Sequence, residues 1–76
     1  MRKRKLKISD YEYYLYKEDT TSNEIWYLES LVDEKLEFTN NFKNSLRITF
    51  AKANTINRQQ FNNNFDIGKV RKAKNS

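Results

Sequence analysis

Residues 11–31 read YEYYLYKEDTTSNEIWYLESL, and the conformation of Tyr11–Lys17 decides the architecture. Strict alternation puts Tyr11, Tyr13 and Leu15 on one side of an extended chain and Glu12, Tyr14 and Tyr16 on the other. Aromatic residues suit such a pleated, half-buried surface. A helix competes for the same stretch, because Ser9 with Glu12 three positions on fits a capping box and Tyr11, Tyr14 and Leu15 would share a helical stripe. The alternation favours a strand. Glu18–Asn23 (EDTTSN) consists of turn formers, and Glu24–Leu31 then resumes with Ile25, Trp26, Tyr27 and Leu28. A hairpin is therefore expected.

Working outward, Val32-Asp33-Glu34 reads as the next turn and Lys35–Thr39 as a short strand with Leu36 and Phe38 on one side. Asn40–Asn44 interrupts the pattern. Leu46, Ile48 and Phe50 then alternate with Arg47 and Thr49, which predicts a fourth strand. From about Ala51 to Phe65 the alternation is lost, while Ala53, Ile56, Phe61 and Phe65 are spread at spacings a helix can partly use. That helix is rich in asparagine, a poor helix former, so packing must hold it. Gly68, the only glycine in the chain, is expected to stop it, and Lys69–Lys72, with Val70 pointing inward, to form a last strand. The expected order is β-β-β-β-α-β: an α+β fold, with a small antiparallel sheet of four to five strands and one helix packed on a face. A single domain over residues 8–72 would lie between a basic tail, 1–7, and a short tail, 73–76.

Composition narrows the chemistry. The chain of 76 residues has no cysteine and no histidine, which removes disulfides, thiolate metal sites and the commonest acid/base catalyst. One glycine cannot build a phosphate-cradling loop. The adjacent acidic pairs Glu18-Asp19 and Asp33-Glu34 fall in expected turns, not on converging elements as a Mg²⁺-dependent nuclease would need. No catalytic, cofactor or metal site is expected, and with no apolar run near the ~20 residues of a membrane span, a cytoplasmic location is expected.

Charge carries more information. The formal net charge is +5, yet Arg2, Lys3, Arg4, Lys5 and Lys7 and, at the other end, Lys69, Arg71, Lys72 and Lys74 account for nine cations, while six basic residues face ten acids between Ile8 and Gly68. Cationic ends of this kind bind nucleic acid by counterion release, with little sequence preference; these nine residues are the nucleic-acid-binding candidates, for DNA or RNA. The hairpin is aromatic and acidic instead. Aromatics on both sides of one strand cannot all enter a small core, so Tyr14 and Tyr16, with Glu12, Glu18, Asp19 and Glu24 around them, are the candidates for a contact with a basic protein surface.

The run Trp26-Tyr27-Leu28, Phe38-Thr39, Ser45-Leu46-Arg47-Ile48-Thr49 and Gly68-Lys69-Val70 resembles a pattern of small proteins from phages and other mobile elements of low-GC Gram-positive bacteria. Ser45 stands where that pattern usually has alanine and Ile48 where it usually has phenylalanine. The resemblance spans residues 26–70 and implies a compact sheet-plus-helix unit. Some proteins of this kind are anti-CRISPR inhibitors, so it also implies an inhibitor acting in the host bacterial cytoplasm. Joined to the charge division, it leads to the expectation of a non-enzymatic protein that blocks nucleic-acid binding or cleavage by a host RNA-guided nuclease. A direct nucleic-acid-binding accessory protein of a mobile element, acting in replication, recombination or transcription, is the alternative.

Overall fold

The computed structural model describes residues 10–72. Four strands form one antiparallel sheet: β1 (Tyr11–Asp19), β2 (Glu24–Val32), β3 (Lys35–Thr39) and β4 (Asp66–Arg71), in the order β3-β2-β1-β4. Among the described residues one α-helix, α1 (Phe50–Phe61), packs on one face, so the fold is α+β. Residues 11–17 are extended, and the helical alternative is excluded. No helix among the described residues is long and apolar enough to cross a membrane.

Alternation along β1 sends Tyr13 and Leu15 under α1, where they are buried with Leu28, Ala53 and Ile56. The β4 register, Tyr13↔Lys69, Tyr14↔Gly68 and Leu15↔Ile67, puts Ile67, Lys69 and Arg71 on this helix side. Val70, opposite Glu12, therefore lies on the face away from the helix, contrary to the expectation that it points inward. On β2 the pairing slips between Leu28 and Ser30. The extra residue of this bulge lets Leu28 and Leu31, three apart, reach the same side as Phe38 and Leu36 of β3, two apart.

The expected fourth strand is absent as a strand. Leu46–Ile48 instead fills the gap where β1 and β2 diverge beyond the Tyr16↔Tyr27 pair. The Leu46 amide donates to Leu28 O at 2.8 Å, and Ile48 and Tyr13 exchange two backbone bonds of 2.8 and 2.9 Å. These contacts make one isolated bridge to β1 and one bond to β2 before Thr49 turns the chain into α1. Phe50, expected on that strand, is the first helical residue, and its ring meets Tyr13 edge-on at 5.1 Å. Thr49 caps the helix by accepting from the Lys52 amide at 3.2 Å.

The helix ends at Phe61, short of the expected Phe65, and Gly68 is not its stop. Asn62 and Asn63 adopt left-handed conformations, with φ of 49° and 61°, which asparagine tolerates better than most residues. The Asn63 amide donates to Asn57 O at 2.9 Å. The buried Asn57 side chain then clamps the following turn, donating to Phe65 O at 2.9 Å and accepting from the Phe65 amide at 3.1 Å. Much of the asparagine that weakens the helix thus ends it. Gly68 serves another purpose within β4: the Tyr14 ring lies across it, in the space a Cβ would fill.

Two substitutions test this account by chemical denaturation. Asn57→Ala strands two backbone groups of Phe65 and should lower stability by about 2 kcal/mol. Glu34→Gly should raise it by about 1 kcal/mol, because Asp33 and Glu34, with φ of 51° and 65°, form a two-residue hairpin turn whose left-handed conformation glycine adopts freely. No change in either variant would contradict the assigned roles.

Candidate functional site

Among the described residues, the side of the sheet away from α1 carries no α-helix. Alternation and register together define which residues it displays. From β1 come Glu12, Tyr14, Tyr16 and Glu18; Tyr27 of β2 stands opposite Tyr16 and Ile25 opposite Glu18; Asp66, Gly68 and Val70 of β4 stand opposite Tyr16, Tyr14 and Glu12. On β3, Lys35, Glu37 and Thr39 alternate with Leu36, which packs against the core, and with the exposed Phe38, whose ring meets Phe61 and Phe65.

A fourth ring joins the three tyrosines from a short 3₁₀ turn, Phe42–Asn44. Asn41 caps this turn, accepting from the Lys43 amide at 3.1 Å. The Phe42 carbonyl is held by the buried Ser45 hydroxyl at 2.7 Å and by Arg47 Nη2 at 3.2 Å, while Arg47 Nε donates to Ser45 Oγ at 3.0 Å. So fixed, Phe42 lies edge-on to Tyr14 at 5.1 Å and to Tyr27 at 5.5 Å. Tyr14, Tyr16 and Tyr27 are each about half-buried against one another, with centroids 5.7, 5.9 and 6.4 Å apart. The Arg47 guanidinium rests over Phe42 at 4.7 Å and Tyr14 at 5.7 Å.

The face is thus aromatic, pre-packed and acidic at its margins. Its carboxylates include Glu12, Glu18, Glu37 and Asp66, and its cations include Arg47, engaged by the rings, and Lys35. Rigid tyrosines lose little entropy on contact and combine apolar area with a hydroxyl, which is why they recur at binding hot spots.

The six residues expected to contact protein separate into two groups. Glu12, Tyr14, Tyr16 and Glu18 share the open face. Asp19 and Glu24 pair at the hairpin's end on the other side of the strands. Tyr27, Phe42, Arg47 and Asp66 were not among the candidates. The Tyr16↔Tyr27 pairing follows from a hairpin centred on the EDTTSN turn and could have been read from it, whereas Phe42 lay in what the pattern showed only as an interruption.

Of the basic candidates, Lys69 and Arg71 lie on the helix side of the outer strand β4, where Lys69 Nζ sits 4.7 Å from the Tyr11 ring. The Lys72 amide closes the β1–β4 ladder by donating to Asp10 O at 3.0 Å. Arg2, Lys3, Arg4, Lys5, Lys7 and Lys74 lie outside the described residues. The helix side also has a cleft of about 630 Å³ beside Trp26, Phe38 and Phe65, with Lys17 on its wall. Among the described residues no three acidic side chains are grouped to hold a metal ion.

In comparisons with known proteins, no family model, no curated protein and no solved structure matches this chain.

Partial burial, and then the nearby Tyr16 and Tyr27, push the Tyr14 phenol above the ordinary value of 10.0, against the opposing pull of Arg47. An acid with a raised native pKa favours folding below its unfolded value, and that contribution is lost as pH rises above 10.0 through the native value. An ultraviolet alkaline titration of the folded protein should therefore contain a phenolate component above pH 10 that Tyr14→Phe removes. Loss in that variant of a component titrating at or below pH 10, with the component above pH 10 intact, would contradict the packing described.

Proposed function

We propose that the chain is a non-catalytic binding protein that docks its tyrosine face on a basic protein surface and so blocks the nucleic acid that surface holds. The observation that carries this reading is the cluster of Tyr14, Tyr16, Tyr27 and Phe42 on the helix-free side of the sheet, bordered by Glu12, Glu18 and Asp66. Carboxylates repel phosphates and attract lysine and arginine, so the face suits a protein groove that binds nucleic acid better than the nucleic acid itself. Together with the resemblance to small phage proteins, this makes an RNA-guided nuclease of a bacterial host the specific target we propose, with inhibition by occlusion.

Lys69 and Arg71 point to the opposite side of the sheet from the tyrosines. A bound inhibitor would therefore turn Lys69 and Arg71 away from the protein groove, where guide RNA or DNA could meet them. The same placement supports the alternative reading, direct binding of DNA or RNA through these cations and the basic ends. The two separate in a gel-shift experiment at ~0.15 M salt. Retardation of free nucleic acid that is lost when the terminal cations are neutralised supports the alternative; retardation only in the presence of a protein partner supports inhibition.

The direct test mixes the protein in stoichiometric excess with RNA-guided nucleases of low-GC Gram-positive bacteria and measures target-DNA binding and cleavage. Inhibition is expected with at least one of them, weakened about 30-fold by Tyr16→Ala or Tyr27→Ala, the effect of losing a hot-spot aromatic. Unchanged binding and cleavage with all of them would defeat the nuclease assignment.

A further inference from the structure

The four rings of the open face form two triangles that share the Tyr14–Tyr27 edge. In one, Tyr14, Tyr27 and Phe42 are 5.1 to 5.9 Å apart, and the chain's own Arg47 guanidinium lies over Phe42 and Tyr14. In the other, Tyr14, Tyr16 and Tyr27 are 5.7 to 6.4 Å apart. Its size is nearly the same. Among the described residues, no lysine or arginine lies over Tyr16 or Tyr27.

This second triangle has what the first lacks, two carboxylates. Glu18 is two residues along β1 from Tyr16 on the same face, about 7 Å away along the strand. Asp66 is the cross-strand partner of Tyr16 on β4, at a Cα separation of about 5.5 Å for such a pair. Both are exposed, and neither makes an ion pair with a described residue.

We propose that the Tyr14–Tyr16–Tyr27 triangle, with Glu18 and Asp66, is a receptor for one arginine side chain of the partner protein. The inference rests on the protein-docking reading above and gives that face its ligand. Arginine fits better than lysine for two reasons. Its planar, weakly hydrated guanidinium stacks on aromatic faces, and its five N–H groups can bond a carboxylate in a fork while ring contact is kept. Arg47 on the adjoining triangle shows the packing that such a group adopts on these rings. A phosphate is the wrong ligand, since two carboxylates face it.

The test is an NMR titration of the ¹⁵N-labelled full chain with N-acetyl-arginine amide and, separately, with N-acetyl-lysine amide. Arginine should give saturable shifts centred on Tyr16, Glu18, Tyr27 and Asp66, with lysine at least about threefold weaker. The double variant Glu18→Gln/Asp66→Asn, both sites being on the surface, should keep the wild-type melting temperature and weaken arginine binding about tenfold. Shifts that do not saturate, that centre on Arg47, that are equal for lysine or that survive the double variant would overturn the proposal. Failure here is separable from failure of the docking reading. If Tyr27→Ala still abolishes inhibition of a nuclease while arginine amide does not bind, the face docks without an arginine receptor. If arginine amide binds as described and no nuclease is inhibited, the receptor stands and the assigned target falls.

Discussion

Strand β1 has to satisfy two surfaces with a single period-two alternation. Its Tyr13 and Leu15 fill the core beneath α1, and by the geometry of an extended chain Tyr14 and Tyr16 must then face the other way. The aromatic face follows directly from burying Tyr13 and Leu15 in a strand flanked on both sides. A shift of one residue in the β1–β4 register would place Tyr14 and Tyr16 in the core and expel Leu15. Gly68 helps to specify the observed register, because only there does the Tyr14 ring find a position without a side chain to lie across.

The two faces are also joined through residues 45–48. Leu46 and Ile48 pack against the core and bond to β2 and β1, while Arg47 between them reaches the open face and, with Ser45, holds the carbonyl of Phe42. Formation of the core therefore brings the fourth aromatic ring into place. With only five apolar side chains buried among the described residues, a domain of this size has a narrow stability margin. That gives weight to polar devices such as the Asn57 clamp on Phe65.

What the sequence revealed and what it concealed have the same physical origin. Period-two patterns that bury one side were legible: the β1–β2 hairpin, β3, and the identity of Tyr14 and Tyr16 as residues facing away from the core. Features set by competition between elements were not. Residues 46–50 alternate as a strand does, yet their neighbours β1 and β2 are paired with β4, β3 and one another. Val70 reads as an inward residue by hydropathy, but pairing with β1 fixes its side instead. Gly68 looked like a helix stop, and the left-handed Asn62 and Asn63 already filled that role. The site was half legible for the same reason: β1 supplied Tyr14, Tyr16, Glu12 and Glu18 by alternation alone, whereas Phe42, Arg47 and Asp66 join them only through tertiary pairing.

The open face gathers carboxylates around the tyrosines, while Lys69 and Arg71 lie on the helix side of β4. A flat partner can cover only one of these surfaces at a time, so the side it protects identifies the kind of partner. Hydroxyl-radical footprinting of the protein bound to its cellular partner, read residue by residue by mass spectrometry, makes that distinction most directly. The account predicts loss of labelling at Tyr16, Tyr27 and Phe42 with Tyr11 and Phe65 still reactive; protection confined to the helix side, with those three rings fully labelled, would contradict it.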